Sequence, residues 1–437
     1  MKLKNILQAV LLSAIVILSS CKKDKDATPG PLDCAGVEYG IAAADDCGVC
    51  HSSYMYDMIT HQSTPVGTYA DTVGMSGMFV LAGSTMDLAA NPMWNASCYL
   101  FTDSEGASTV AYGGQTARLN MASELGSALS SNVTEAMLND MFMNTNSPFA
   151  DADLNASTKN IGGKTASAAE PTISASEQAA VITAIQGWFS TYANEVAPIS
   201  GGNAVDNPAS AGVPGFIDNR ELDGKGLEYD QVVIKTLIGA LCLDQVCNSY
   251  LSPTKLNVDN IDRTDGYTAM EHHWDEGFGY VYGKFGADNK HGDLSADGLL
   301  GKYVNKSGFE AEKTAIYNAF LAGRKAIVAM DYNERDAQAM IIKQNLSKVV
   351  AQKAIDYLEG AAEDVASLNA DYFHGLSEGY GFIVSLQFTN NGNGVPYMTH
   401  QECMDMVAAL EAGNGLWDRT AAELTDMATQ VRAAAGL

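Results

Sequence analysis

The stretch Thr268–Gly283, TAMEHHWDEGFGYVYG, decides the reading of this chain. Thr268 and Glu271 have the S/T-x-x-E spacing of a capping box, in which hydroxyl and carboxylate each satisfy a backbone N–H that a helix start leaves open. A helix is therefore predicted from Ala269. His272 and His273 sit in it among Glu271, Asp275 and Glu276, and an apolar, aromatic run follows. On a helix, His273 with Glu276 and His272 with Glu276 each share one face, within reach of a common ion or hydrogen-bond partner. No other turn of the chain concentrates as much titratable chemistry.

Outward from this stretch the pattern repeats. Ser174–Glu177, Thr399–Glu402 and Thr420–Glu423 are further capping boxes. Gln115–Leu129 places Leu119, Ala122, Leu125 and Leu129 on one face, and Asn132–Met143 continues as a short helix. The Ser174 box opens a helix with Val181, Ile185, Trp188 and Phe189 on its apolar side. Gly226–Leu251 is a long apolar helix with Glu228 in its first turn. Phe309–Ala329 and Asp336–Leu368 follow, and Tyr372–Leu386 is a second striped helix, on which His374 and Glu378 are four apart. The fold class is mainly α: a multi-helix bundle over residues 113–437. The Gly/Pro/Asn-rich segment Pro198–Gly215 would separate two packed halves, 113–205 and 215–437. A composition of 46% hydrophobic and only 18% charged residues, rich in Ala, Gly, Met and Ser, suits close helix packing.

The first 112 residues read differently. Lys2 and Lys4 precede an apolar run, Ile6–Leu18, too short to span a bilayer once processed. Leu18-Ser19-Ser20-Cys21 resembles the lipobox of bacterial lipoproteins, which implies that residues 1–20 are a signal peptide and that Cys21 is lipidated. Residues 21–32 then form a polar tether. Lys22 rather than Asp after the cysteine favours, by the same resemblance, the outer membrane. Residues 33–51 resemble a short Cys/Asp/Gly spacer module, too small to fold without cross-links, and residues 52–112 are loop-rich with short strand-like pieces. Cys47-Gly48-Val49-Cys50-His51 also fits the C-x-x-C-H pattern of c-type haem attachment. The module accounts for both cysteines as disulfides, so haem c is the alternative use of Cys47, Cys50 and His51. Seven cysteines remain after Cys21, an odd number, so at least one is not in a disulfide within the chain.

With 26 Lys+Arg against 52 Asp+Glu, the formal charge of −26 repels phosphate backbones, which excludes nucleic acid as a partner and favours cations. The acidic loop Asp288–Asp297 lacks EF-hand order and reads as solvated. No Rossmann or P-loop glycine pattern, G-x-S-x-G elbow or H-E-x-x-H is present. With no nucleophile–base–orienter set either, binding is favoured over catalysis.

The blocks GGQTARLNMASEL, MFMNTNSPFADADLNASTKNIGGK, GLEYDQVVIKTLIGALCLDQ, YTAMEHHWDEGFGY and FHGLSEGYGFIVSL resemble an uncharacterised, domain-of-unknown-function family of bacterial envelope lipoproteins, from about Gly113 to the C-terminus. The resemblance implies a mainly helical envelope domain and no particular activity. His273-Trp274-Asp275-Glu276 is locally similar to the HxxE motif of the imelysin-like iron-regulated proteins, without the glycine that precedes their histidine.

These residues suggest a metal site in the bundle. Glu124, Glu228, the cluster His272, His273 and Glu276, and the pair His374 and Glu378 come from four predicted helices, and bundle di-metal centres draw carboxylates and Glu/His pairs from four helices. Nitrogen and oxygen ligands without thiolate suit iron, zinc or manganese. The competing reading is structural: the His and Glu side chains bond one another and neighbouring carbonyls, Glu271 and Asp275 favour the helix dipole, and the protein is a surface scaffold lipoprotein. The expectation is an envelope-anchored protein, held to the membrane by Cys21, that binds iron or zinc for uptake or storage.

Overall fold

The structure is a computed structural model that describes residues 30–44, 47–48, 50–84, 86–87 and 98–437. The signal peptide, Cys21 and residues 22–29 of the tether lie outside the described residues. The chain divides into two compact units, Met1–Ala96 and Ser97–Leu437.

In the first unit β1 (Ala43–Ala44) pairs antiparallel with β2 (Cys50–His51). A three-stranded antiparallel sheet has β3 (Ser53–Tyr56) between β4 (Ser63–Val66) and β5 (Met78–Val80). Among the described residues its apolar cluster is Ile41, Met55 and Val66, with Phe79 packed against them. So small a core leaves much of the ordering to cross-links, and Cys34 is bonded to Cys50. The aspartate of the module works locally. Asp33 accepts from the backbone N–H groups of Ala35, Val37 and Ala42, which fixes the turn and holds its carboxyl below the usual range.

The second unit is helical. Its labelled helices are α1 (Gly113–Ala128), α2 (Glu135–Met143), α3 (Ala175–Thr191), α4 (Tyr229–Leu237), α5 (Ala269–Tyr282), α6 (Leu300–Val304), α7 (Glu310–Val328), α8 (Tyr332–Asp364), α9 (Ala370–Ser385), α10 (His400–Leu410) and α11 (Ala421–Ala435). All four capping boxes form, at Ser174, Thr268, Thr399 and Thr420. The long α8 starts four residues before the predicted Asp336, because the Asp331 side chain accepts from Glu334 N and opens the helix there. The core is one continuous cluster from Tyr99 to Val431. Tyr99, Val110 and Tyr112 belong to it as well: Tyr99 stacks on Phe278 with ring centroids 3.8 Å apart.

Helix α4 runs on as a π-helix, Ile238–Tyr250. By length and composition Tyr229–Tyr250 could cross a membrane, yet every residue of the π-helical part is buried in the bundle. Loop residues bond carbonyls of the π-helical stretch from outside: Ala240 O accepts from Ala166 N and Asn248 O from Glu170 N. Segment 166–170 is thereby stitched along the helix.

Candidate functional site

Helix α5 divides its charged residues between two faces. On one, Arg324 is wholly buried between Glu271 and Asp275, with Nη1 2.8 Å from Glu271 Oε1 and Nε 3.0 Å from Asp275 Oδ1. Tyr99 donates to Asp275, and Arg324 also donates to Thr109. Burial pushes the Asp275 carboxyl up. Burial works the same way on Glu271, but Arg324, the Thr268 N–H and Arg263 together outweigh it and hold that carboxyl below its ordinary value. These two acids therefore do more than complement a helix dipole: they hold α7 and the Tyr99–Thr109 segment against α5. His273 donates from Nδ1 to Lys255 O at 2.6 Å, and burial lowers its pKa, which favours the neutral ring.

The other face carries His272 and Glu276. Their Nε2 and Oε2 stand 3.8 Å apart, too far for a hydrogen bond. Glu276 Oε1 accepts from Gln115 Nε2 at 3.0 Å and from the Tyr250 hydroxyl at 3.2 Å. His272 stacks on Tyr267, and its buried Nδ1 has no hydrogen-bond partner.

Helix α9 carries the second pair. Its N-cap is Asn369, which accepts from Tyr372 N. His374 Nδ1 stands 2.6 Å from Glu228 Oε2, which with an ionised Glu228 puts the proton on Nδ1 and leaves Nε2 as the lone-pair nitrogen. That nitrogen faces Glu378 Oε2 at 3.9 Å. Glu378 Oε1 is held by Lys235 Nζ at 3.0 Å and by the Tyr303 hydroxyl at 2.9 Å. Burial pushes the Glu378 carboxyl up, but Lys235 and a Tyr357 hydrogen bond bring it down to about 2. Nearby, burial and the Glu228 charge raise Asp230 to about 6. Arg220 closes the other side of Glu228 at 3.2 Å.

The two pairs are built alike. Residues 272–280, HHWDEGFGY, and 374–382, HGLSEGYGF, share the pattern H-x-x-x-E-G-aromatic-G-aromatic. In each, Nε2 and Oε2 are separated by almost the same gap, and Oε1 accepts from a tyrosine and from one polar residue of a facing helix, Gln115 of α1 or Lys235 of α4. In each, a lysine lies over the ring of that tyrosine, Lys164 over Tyr250 and Lys235 over Tyr303. The glycine three residues after the glutamate makes this possible. A Cβ on Gly279 would lie 3.0 Å from Gln115 Cβ, and one on Gly381 2.5 Å from Lys235 Cβ. Only a glycine lets the facing helix come near enough for that side chain to reach Oε1.

The structure thus brings together Glu228, His374 and Glu378, and separately His272 and Glu276. It does not assemble the seven-residue, four-helix centre expected from the sequence. The pairs have different partners throughout, and Glu124 caps elsewhere, accepting from Ala150 N and Asp151 N. Among the described residues no three His, Cys, Asp or Glu side chains form a ready metal-holding group. For haem, Cys50 is bonded to Cys34, and Cys47 is also disulfide-bonded, so neither sulfur is free to add to a haem vinyl as the spacer stands. Cys242, Cys247 and Cys403 are free and buried. Sequence reasoning missed Gln115, Lys235, Tyr250 and Tyr303. The internal repeat was the signal that could have found them, since it marks the glycine against which Gln115 and Lys235 pack.

A family model described as a domain of unknown function (DUF4856) matches residues 96–437. The chain belongs to this family. The match begins where the helical unit begins, sixteen residues or so before α1, in keeping with the packing of Tyr99 and Thr109 on α5 and α7. No curated protein and no solved structure matches the chain.

Proposed function

We propose that this family member is an envelope lipoprotein, anchored through Cys21, whose helical domain binds iron or zinc at the two His–Glu pairs for uptake or storage. The observation that carries this reading is the open gap between Nε2 and Oε2, 3.8 Å in one pair and 3.9 Å in the other. It is too long for a hydrogen bond and a little wider than the roughly 3.4 Å between two ligands of a tetrahedral ion, so a small closure would bring both side chains onto one metal. The other oxygen of each glutamate is already held, and at α9 Glu228 orients the histidine, the arrangement that tunes metal-bound imidazoles. Two protein ligands leave positions open for water or for a chelating group that carries the metal. A purely structural His–Glu contact would close to hydrogen-bond distance, and it has no need to occur twice. The disulfide-linked spacer suits an oxidising compartment, in line with export, and the acidic surface concentrates cations.

Metal analysis of protein purified without a histidine tag tests this. The expected result is bound iron or zinc that falls in steps in His272→Ala and His374→Ala and is absent from the double variant. Wild-type protein without stoichiometric metal, and with a melting temperature that iron and zinc leave unmoved, would favour the scaffold reading instead. Cys21→Ser is expected to abolish lipid labelling and release the protein from the membrane fraction.

A further inference from the structure

Away from both pairs, a pocket of about 390 Å³ opens between the C-terminal end of the π-helical stretch, helix α8 and the loop Asn390–Gly394. That volume suits a small molecule. Its polar lining is of two kinds. Asn248 and Asn390 are fully engaged: Asn390 Nδ2 donates to Asn248 Oδ1, Asn248 Nδ2 to Phe388 O, and Asn390 Oδ1 accepts from Gly392 N and Gly394 N. They form a fixed wall. Lys343 and Ser252 are not engaged. Lys343 is 8% exposed, and among the described residues no hydrogen bond or ion pair reaches its ammonium, the charges nearest it acting only at a distance. Ser252 is 1% exposed, and its hydroxyl has no partner.

The ammonium of a mostly buried lysine and a fully buried hydroxyl, both without a protein partner, work against folding. Burial lowers the Lys343 pKa, the same penalty seen from the protonation side. Their presence in the lining of one pocket makes sense if a ligand completes them. What they lack is an acceptor bearing negative charge. A single ammonium matches a monoanion, whereas phosphate would want a second cation or a guanidinium fork, and the only other charged side chain on the lining is Glu170. The Cys247 thiol, which burial keeps protonated, adds an uncharged wall.

We propose that this pocket binds a small organic monocarboxylate, whose carboxylate pairs with Lys343 Nζ and accepts a hydrogen bond from Ser252 Oγ. The site is independent of the His–Glu pairs and stands or falls without them.

Calorimetric titration of the mature protein with acetate, glycolate, lactate, pyruvate and butyrate, and with inorganic phosphate as the counter-probe, tests it. At least one monocarboxylate is expected to bind one-to-one and phosphate not to compete. Lys343→Met should weaken that binding at least tenfold and Ser252→Ala several-fold, while His272→Ala and His374→Ala leave it unchanged. Without ligand, Lys343→Met should melt above the wild type, because it removes an unpaired buried charge and keeps the stem. A merely structural lysine would give the opposite shift. The proposal is overturned if no monocarboxylate binds, if phosphate binds in preference, if Lys343→Met binds as the wild type does, or if it melts lower. Should Lys343→Met fail to fold, that too counts against an unpaired ammonium, and Lys343→Gln repeats the binding test.

Discussion

Helices α5 and α9 present the same His–Glu pattern, but the protein holds them in different ways. Behind its pair, α5 is fixed by a fully buried ion network, Arg324 with Glu271 and Asp275. Helix α9 is fixed by close backbone approach: Ser385 Oγ donates to Lys235 O and accepts from Gly239 N, and Gly381 abuts Val232 O. At the pairs themselves the supports are charged on α9 and neutral on α5. The α9 glutamate has a lysine and the α9 histidine a carboxylate, whereas the α5 glutamate has the neutral Gln115 and the α5 histidine an orphaned Nδ1. The lesson is that the open Nε2–Oε2 gap recurs with the same kind of grip on Oε1, although the charge of that grip and the packing behind each helix differ. A feature kept against different supports is more readily a binding geometry than a by-product of packing.

The largest effect should come from breaking the α5 support. Arg324→Met strands two buried carboxylates and is expected to cost about 3–5 kcal/mol, read as a loss of melting temperature and of urea midpoint. If α5 and α9 were supported alike, Lys235→Met would cost as much. It strands one carboxylate, Glu378, which keeps its Tyr303 bond, and the neutral amide oxygen of Gln231, and the smaller loss expected there is the discriminating result.

Acid titration comes next. Glu378 has a folded pKa of about 2 against an ordinary value of 4.5, so ionised Glu378 contributes stability that is fully present above about pH 4.5 and is lost as pH falls toward 2. The shift corresponds to on the order of 3 kcal/mol. Glu378→Gln should flatten that part of the acid-unfolding curve. Asp230 works in the reverse sense. Its folded pKa is raised from 3.8 to about 6, so the folded state loses stability as pH rises through that window, and Asp230→Asn should remove the loss. A curve for Glu378→Gln that still falls as steeply below pH 4.5 would mean that Lys235 does not hold the carboxylate as drawn.

The glycines are expected to cost less. Gly381→Ala drives a Cβ to 2.8 Å from Val232 O and 2.9 Å from Thr236 N, backbone atoms that cannot turn aside, and should cost about 1–3 kcal/mol. Gly279→Ala meets the Tyr112 and Gln115 side chains instead, so the lower end of that range is expected. Both should weaken metal binding at their own pair and leave the other pair's binding intact, which a general loss of stability would not do.

How much of this was legible in the sequence depended on whether the signal was local. The four capping boxes are local chemistry, three residues apart, and each marks a real helix start. The His–Glu spacings are local as well, so both pairs were found. The assembly was not. Grouping Glu124 with the histidines assumed that helices of a bundle all aim their acids inward, whereas Glu124 serves the N-terminus of the short helix Ala152–Ala156. Arg324 gave no warning, because a single arginine in an apolar stripe reads as a residue reaching for solvent until its partners, about 50 positions away, are known. The π-helical stretch was equally hidden: its residues fit an α-helix, and the segment 166–170 that bonds its carbonyls lies far away in the sequence.

The smallest effect concerns the helix starts, and it sets the two supports against each other once more. Asn369 caps α9 through a single bond to Tyr372 N, so Asn369→Ala should cost about 1 kcal/mol. Thr268 is wholly buried, accepts from Glu271 N and donates to Asn260 Oδ1. Glu271 in turn returns a bond to Thr268 N while gripping Arg324. Thr268→Ala therefore strands the buried Asn260 carbonyl as well as the helix N–H, and about 2 kcal/mol is expected. If Thr268 acts through the Arg324 network, its effect should shrink in an Arg324→Met background, because Glu271 is then already displaced. Strict additivity of the two substitutions, measured as a double-mutant cycle in urea, would mean that the α5 cap and the buried ion network are separate devices that happen to share a glutamate.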